Sequence, residues 1–330
     1  MNIREMTEER EYELLSLYAA KSRETLGRQI KEPLCEIRTE YRRDVDRITH
    51  SKAFRRLMHK TQVFISPSDD HYRTRLTHTL EVSQIARTIA RGLFLNEALT
   101  EAIAYAHDLG HTPFGHIGEE VLNEICENGF CHNEQSLRVV DYFEKENGLN
   151  LTYEVRDGIV NHTGKNIPKT SEGNIVRLAD RIAYINHDID DAIRAGILSK
   201  DSIPKKFIKS LGSKHSIRIN TMILDVLSNS ENGEIKMSKS ISELTDELRD
   251  FMFENVYLSQ AVRKKEDKCK GIVKFLYEYF YKNVNLLPVE YLKRLDSDGK
   301  AVTVCDYIAG MTDRYAITTY EEKFLKSEIL

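Results

Sequence analysis

His107-Asp108-Leu109-Gly110-His111-Thr112-Pro113-Phe114-Gly115-His116 closes an apolar run that reads as a helix. Upstream, Ala98, Ala102 and Ala106 recur at four-residue intervals with Leu99 and Ile103 beside them. Small residues at that spacing allow close packing of a neighbouring helix. Asn96 has the side chain for an N-cap and Gly110 the freedom to end the helix. Adjacent residues within a helix point about 100° apart. At a helix end the backbone can turn, so His107 and Asp108 can both face one cation.

Outward from this segment the helical period persists. Leu76, Leu80, Ile85, Ile89 and Leu93 mark an amphipathic helix, with Val82 and Ala86 beside them. Further helices are predicted at 8–18, 116–127, 133–146, 152–162, 173–195, 216–229, 238–260, 270–285 and 302–327. Short strands or hairpins could occupy 61–73 and 213–220. Ser66-Pro67-Ser68-Asp69-Asp70 reads as a loop, and Arg263-Lys264-Lys265-Glu266-Asp267-Lys268 as a solvated charge run that could also meet an anionic effector. The predicted class is all-α, a globular multi-helix fold with at most minor β hairpins. The division expected is an N-terminal helical segment over 1–40, a site-bearing domain over 41–200 and a C-terminal helical region over 201–330.

His78 lies on the same helix face as Val82, Ile85 and Ile89; alone it would read as a core histidine. Asp180 is less ordinary. It interrupts a densely apolar helix containing Ile175, Val176, Leu178, Ala179, Ile182, Ala183, Ile185 and Ile189. Asp180, Tyr184, His187, Asp188 and Asp191 follow one face of that helix. A buried carboxylate needs a cation or hydrogen-bond donors. His78, His107, Asp108 and Asp180 together therefore read as ligands of one divalent ion. Their nitrogen and oxygen donors suit Mn, Fe, Co, Ni or Zn, and Mg where phosphate oxygens assist.

Composition narrows the classes. The 330 residues are 41% hydrophobic and 30% charged, with a formal net charge of −4. That balance fits a soluble globular protein and gives no global basic signature for nucleic acid. An anionic substrate would need a local positive pocket or a cation. No apolar run is long enough for a membrane span, and the polar N-terminus lacks a signal-peptide core, so a cytoplasmic location is expected. The odd number of irregularly spaced cysteines (Cys35, Cys126, Cys131, Cys269, Cys305) suggests free thiols rather than a disulfide framework.

The order His78, His107-Asp108, Asp180 resembles the HD superfamily of metal-dependent phosphohydrolases. The segments Asp46-Arg47-Ile48, Phe54-Arg55-Arg56-Leu57, Lys60-Thr61-Gln62-Val63-Phe64, Arg75-Leu76-Thr77-His78 and Asn133-Glu134-Gln135-Ser136 are similar to the deoxynucleoside triphosphate triphosphohydrolase (dGTPase-like) branch. So are Leu178-Ala179-Asp180-Arg181-Ile182-Ala183-Tyr184 and Asp306-Tyr307-Ile308-Ala309-Gly310-Met311-Thr312-Asp313-Arg314-Tyr315. The resemblance spans roughly 40 to 320. It implies hydrolysis of a dNTP to deoxynucleoside and inorganic tripolyphosphate, with a divalent metal as cofactor. It further implies His116 as the acid for the leaving 5′ oxygen, oriented by Glu119 where the branch commonly has aspartate. His132 would stand near the leaving group and His111 against the α-phosphate. Arg75, Arg181, Tyr184 and Asp188 are carried toward phosphates and sugar, and Gln62 toward the 3′-hydroxyl. Arg55 and Arg56 could serve a second nucleotide site. The branch forms homo-oligomers, and a second dNTP can act as effector. The alternatives are another HD phosphohydrolase, either a nucleotide phosphatase or a phosphodiesterase, and a catalytically silent nucleotide sensor.

Overall fold

The computed structural model describes residues 1–62, 73–146 and 148–328, with backbone alone for 260–262, 264–265 and 325–328. Val63, Phe64, the loop at 66–70 and the side chains of Lys264 and Lys265 lie outside the described residues. The helices are α1 (Ile3–Leu14), α2 (Glu40–Thr49), α3 (Lys52–Arg56), α4 (Arg75–Gly92), α5 (Glu97–Ala106) and α6 (His116–Ile125). Next come α7 (His132–Arg138), α8 (Tyr153–Asn161), α9 (Ser171–Arg194), α10 (Lys205–Ser210), α11 (His215–Asn229) and α12 (Lys239–Met252). The last are α13 (Gln260–Lys282), α14 (Val289–Leu292), α15 (Leu295–Asp298), α16 (Lys300–Ala309) and α17 (Asp313–Glu328). No strand occurs among the described residues; the only β pairings there are isolated bridges, Thr61 with Thr74 among them. The fold is all-α, as the periodicity requires.

The chain forms two compact units. One comprises Met1–His50, His78–His107 and Asn150–Val262; the other comprises Ser51–Thr77, Asp108–Leu149 and Arg263–Leu330. In the first, α5 packs on α2, α8 and α9, and α9 packs on α11 and α12. Leu99, Ala102, Ile103 and Ala106 of α5 are buried with Val155, Ile159, Ile175 and Ile182. The Asn96 side chain accepts from the Ala98 and Leu99 amides at 3.1 and 3.2 Å, satisfying N–H groups that the helix itself cannot.

The second unit is built around Val121 and Leu122 of α6, Ile272, Val273 and Leu276 of α13, Val304 and Ile308 of α16, and Ala316 of α17. This core backs the segment 108–116. Gly110 is not in the left-handed region and does not end α5 as a positive-φ cap. Its need for glycine is steric: a Cβ there would lie 2.1 Å from the Ser136 amide nitrogen. Gly115 does take a positive φ, of 60°, just before α6.

Several predicted boundaries are corrected. The first helix begins at Ile3, because Asn2 and Glu5 form a capping box, and ends at Leu14. The expected strand at 213–220 is the start of α11, whose Met222 and Val226 are buried. The single helix expected over 302–327 breaks into α16 and α17 around Gly310. Helices α2, α3, α10, α14 and α15 are additions to the predicted set. All five cysteines are free. Among the described residues no helix is long and apolar enough to cross a membrane.

Candidate active site

In the first unit, three of the expected metal ligands converge. His78 Nε2 stands 3.0 Å from Asp180 Oδ1, and His107 Nε2 stands 3.8 Å from the same oxygen. Ligands about 2.1 Å from an ion lie about 3 Å apart at right angles and about 3.4 Å apart at tetrahedral angles. The observed spacings fall around these values. His107 follows the last turn of α5, and its Nδ1 donates to the Ala104 carbonyl at 2.7 Å. That bond places the proton on Nδ1 and leaves the Nε2 lone pair for a cation. Both histidine side chains are buried and Asp180 is partly exposed. The donor chemistry and spacing thus fit a divalent ion. Asp108 follows His107 through one peptide bond, which is also where the chain passes between the two units.

In the second unit, a different histidine set assembles. Glu119, on the first turn of α6, accepts from the His132 amide at 2.8 Å. Its two oxygens lie 2.8 and 3.0 Å from His132 Nδ1, while His116 Nδ1 is 3.3 Å from Oε2. The carboxylate therefore grips His132 more closely than His116. His111 stacks on His132 with ring centroids 4.2 Å apart and an interplanar angle of 15°. Exposure is graded: the His116 side chain is 72% exposed, His132 12% and His111 2%. Burial would hold Glu119 protonated, but hydrogen bonds from His116 and His132 outweigh it and hold the carboxyl well below its ordinary range. Burial, reinforced by Arg75 and His132, pushes the His111 imidazole down toward its neutral form. Asp108, His111 and His132 also present ligand-type atoms to one another, giving a second His/Asp cluster of a kind that can hold a metal ion.

The backbone carrying these groups is fastened from behind. Gly110 N donates to Ser136 Oγ at 2.9 Å, and Phe114 N donates to Asp313 Oδ1 at 2.9 Å. The other oxygen of Asp313 takes Thr61 N and Oγ1, at 2.9 and 2.7 Å. The buried Lys60 Nζ donates to the carbonyls of His111 and Ala309. Asp306 accepts from Gln135 and Arg138 of α7. The segments at 60–62, 133–136 and 306–315 thus hold the histidine-bearing turn in shape.

Comparison with known proteins gives a consistent answer. An HD domain matches residues 75–185, and a phosphohydrolase-associated domain matches 235–322. A deoxyguanosinetriphosphate triphosphohydrolase-like protein of Caldanaerobacter subterraneus subsp. tengcongensis is 59% identical over 99% of this chain and 97% of its own. The chain belongs to the HD-domain, deoxyguanosinetriphosphate triphosphohydrolase-like family. A second such relative, from Desulfatibacillum aliphaticivorans, is 48% identical over all of both chains. A solved phosphohydrolase from Bacteroides thetaiotaomicron shares the fold, with a TM-score of 0.53 over 82% of this chain and 67% of that one at 19% identity.

For this HD-family chain, the remaining expected residues are held as follows. Arg75 Nη1 donates to Asp108 Oδ2 at 2.7 Å; its buried Nε and Nη2 have no partner among the described residues. The buried Gln62 Oε1 has none either. Unsatisfied guanidinium donors are costly, and an anionic ligand would satisfy them. Arg181 instead pairs with Asp246 of α12. Tyr184 lies on the Asp180 face, its phenol pushed up to about 12 by burial and by Asp180. Asp188 accepts from the Tyr257 hydroxyl.

Sequence reasoning missed several neighbours of the site. The His162 ring meets His107 edge-on at 5.0 Å, with its Nδ1 on the Ile159 carbonyl at 2.7 Å. Glu81 reaches His187 Nε2 at 3.3 Å. Glu81 follows His78 by three residues, so its place on the same helix face was readable. Tyr257 and His162 come from distant elements, and nothing local marked them.

Proposed function

We propose that this chain hydrolyses a deoxynucleoside triphosphate, dGTP or several dNTPs, to deoxynucleoside and inorganic tripolyphosphate. In this reading His78, His107, Asp108 and Asp180 hold a divalent ion. Such an ion, when bound, polarises a phosphoryl oxygen and makes water more acidic. The observation that carries the reading is the histidine set gathered on Glu119, which is additional to the metal-type set. Departure of a 5′ alkoxide is difficult without a proton donor, and an imidazole is suited to that task near neutral pH. His116 is the donor, being the exposed member of the set. Glu119 and His132 orient and charge it, and His111 lies against the α-phosphate. The spare donors of Arg75 take phosphate oxygens, and Gln62 reads the 3′-hydroxyl. Arg181, released from Asp246, and Asp188 serve the phosphates and sugar, with Tyr184 packed under the sugar ring. A homo-oligomer that can take a second dNTP as effector completes the proposal.

The test is chromatography of the products formed from each dNTP alone and in pairs, with Mg²⁺ or Mn²⁺. Tripolyphosphate and deoxynucleoside are expected together. Orthophosphate or pyrophosphate as the first product would replace this reading with another HD phosphohydrolase. Stabilisation by nucleotide without turnover would replace it with a nucleotide sensor.

A further inference from the structure

Away from the histidines, two buried thiols meet inside the second unit. Cys126 ends α6, and Cys305 lies in the middle of α16. Their sulfurs are 2.6 Å apart, and both side chains are buried. Non-bonded heavy atoms ordinarily rest about 3.5 Å or more apart. A disulfide needs about 2.05 Å, so the remaining approach is about 0.5 Å. Cys269 is also buried, whereas Cys35 is partly exposed and Cys131 is exposed.

We propose that Cys126 and Cys305 form an oxidisable dithiol that closes to an intrachain disulfide under a peroxide oxidant. The Cys126 thiolate attacks one peroxide oxygen; the O–O bond breaks, and one water leaves after protonation. This forms a sulfenic acid at Cys126. The Cys305 sulfur then attacks the Cys126 sulfur, forming the S–S bond and expelling the sulfenic oxygen as a second water. The two thiols lose two protons and two electrons, and hydrogen peroxide is reduced to two waters. Either sulfur can donate in their contact, and the same balance holds with Cys305 attacking first.

The bond would join two elements that hold the histidine set. α6 begins with His116 and carries Glu119. α16 carries Asp306, which holds Gln135 and Arg138 of the helix that begins with His132. Since the sulfurs already face one another, closure needs no rearrangement of these helices. The disulfide would also restrict the unfolded chain through a long loop.

Cys35 supplies the contrast. Backbone hydrogen bonds from Arg38 and Ile37 bring its thiol down to about 7, yet among the described residues Cys35 is a free cysteine with no sulfur paired to it. If thiolate availability alone decided the outcome, Cys35 would react and link chains to one another. The experiment treats the reduced full-length protein with hydrogen peroxide, quenches it by alkylation and maps peptides by mass spectrometry. A Cys126–Cys305 linked peptide is expected, with each chain lighter by two hydrogens and the change reversed by dithiothreitol. The melting temperature of the oxidised form should rise by about 5 °C. Cys126→Ser and Cys305→Ser should each abolish the link and the rise, while Cys35→Ser should keep both. Overoxidation of Cys126 without a link, linkage confined to Cys35 or Cys131, or a pair that stays reduced would each overturn the proposal.

Discussion

Two histidine–carboxylate sets occur in this chain, one in each unit, and they are satisfied differently. In the first, His107 donates its Nδ1 proton to the Ala104 carbonyl, and the Nε2 atoms of His107 and His78 both face Asp180. In the second, His116 and His132 both turn Nδ1 toward one carboxylate, Glu119, which is held ionised by them. The same residue types thus give two imidazoles facing one aspartate at spacings that fit a cation in one place, and two imidazoles gathered on one glutamate in the other. What separates them is the partner of each imidazole nitrogen. In the first a backbone carbonyl holds one imidazole, whereas in the second one carboxylate gathers two.

The largest effect should come from Asp180→Ala. Turnover should fall to background and metal content, measured by elemental analysis, should fall with it. Full metal occupancy in the inactive variant would break the assignment of the first set. Chelator treatment of the unaltered protein should likewise remove activity, with recovery on adding Mn²⁺.

Glu119→Gln should next lower kcat by about 10²- to 10⁴-fold, the usual range for general acid–base groups, while leaving metal content unchanged. His132→Asn should give a similar loss, because both Glu119 oxygens engage His132. Loss of metal in either variant would merge the two sets into one. Steady-state kinetics beside metal analysis makes the comparison.

Gly110→Ala probes the scaffold beneath the second set. Its Cβ would meet backbone rather than a movable side chain, at 2.1 Å from Ser136 N and 2.3 Å from the Gln135 carbonyl carbon. A loss of about 3 kcal/mol is expected from the urea unfolding midpoint, at the upper end of ordinary overpacking costs.

A further effect, confined to pH dependence, concerns Glu172 at the start of α9. Burial raises this carboxyl to about 7, although its Oε1 accepts the Asn96 and Ala20 amides at 2.9 and 3.0 Å. An unfolded glutamate titrates near about 4.3. Below that value both states hold the proton. As pH rises from there to about 7 the unfolded chain releases it first, so folded stability declines, then levels off. Glu172→Gln should remove this decline, leaving the variant comparable near pH 4 and more stable near pH 8. Unfolding curves across that range would show it; parallel curves for both proteins would refute the raised carboxyl.

Much of the fold was readable because helical period and caps are local. Asn96 caps α5 as its side chain suggests, and the apolar spacing in 173–195 becomes α9 with little change. The error at 213–220 is instructive. Ile217 and Ile219 alternate with polar residues, as in a strand, but Arg218 is buried and its Nε donates to Asn186 of α9 at 2.9 Å. A tertiary bond and the packing of Met222 and Val226 override a short local pattern. The break between α16 and α17 has a similar origin, since both oxygens of Asp313 are engaged by Thr61 and Phe114.

The sequence by itself determined the helical class and the candidate chemistry: which segments coil, which faces are apolar, and which imidazoles and carboxylates are available. These depend on residue type and on spacing within a few turns. Only the tertiary structure decided that Arg75 pairs with Asp108, that Glu119 holds His132 more closely than His116, and that Cys126 faces Cys305. Those partnerships join residues from different elements, and no local periodicity encodes which nitrogen, oxygen or sulfur will meet.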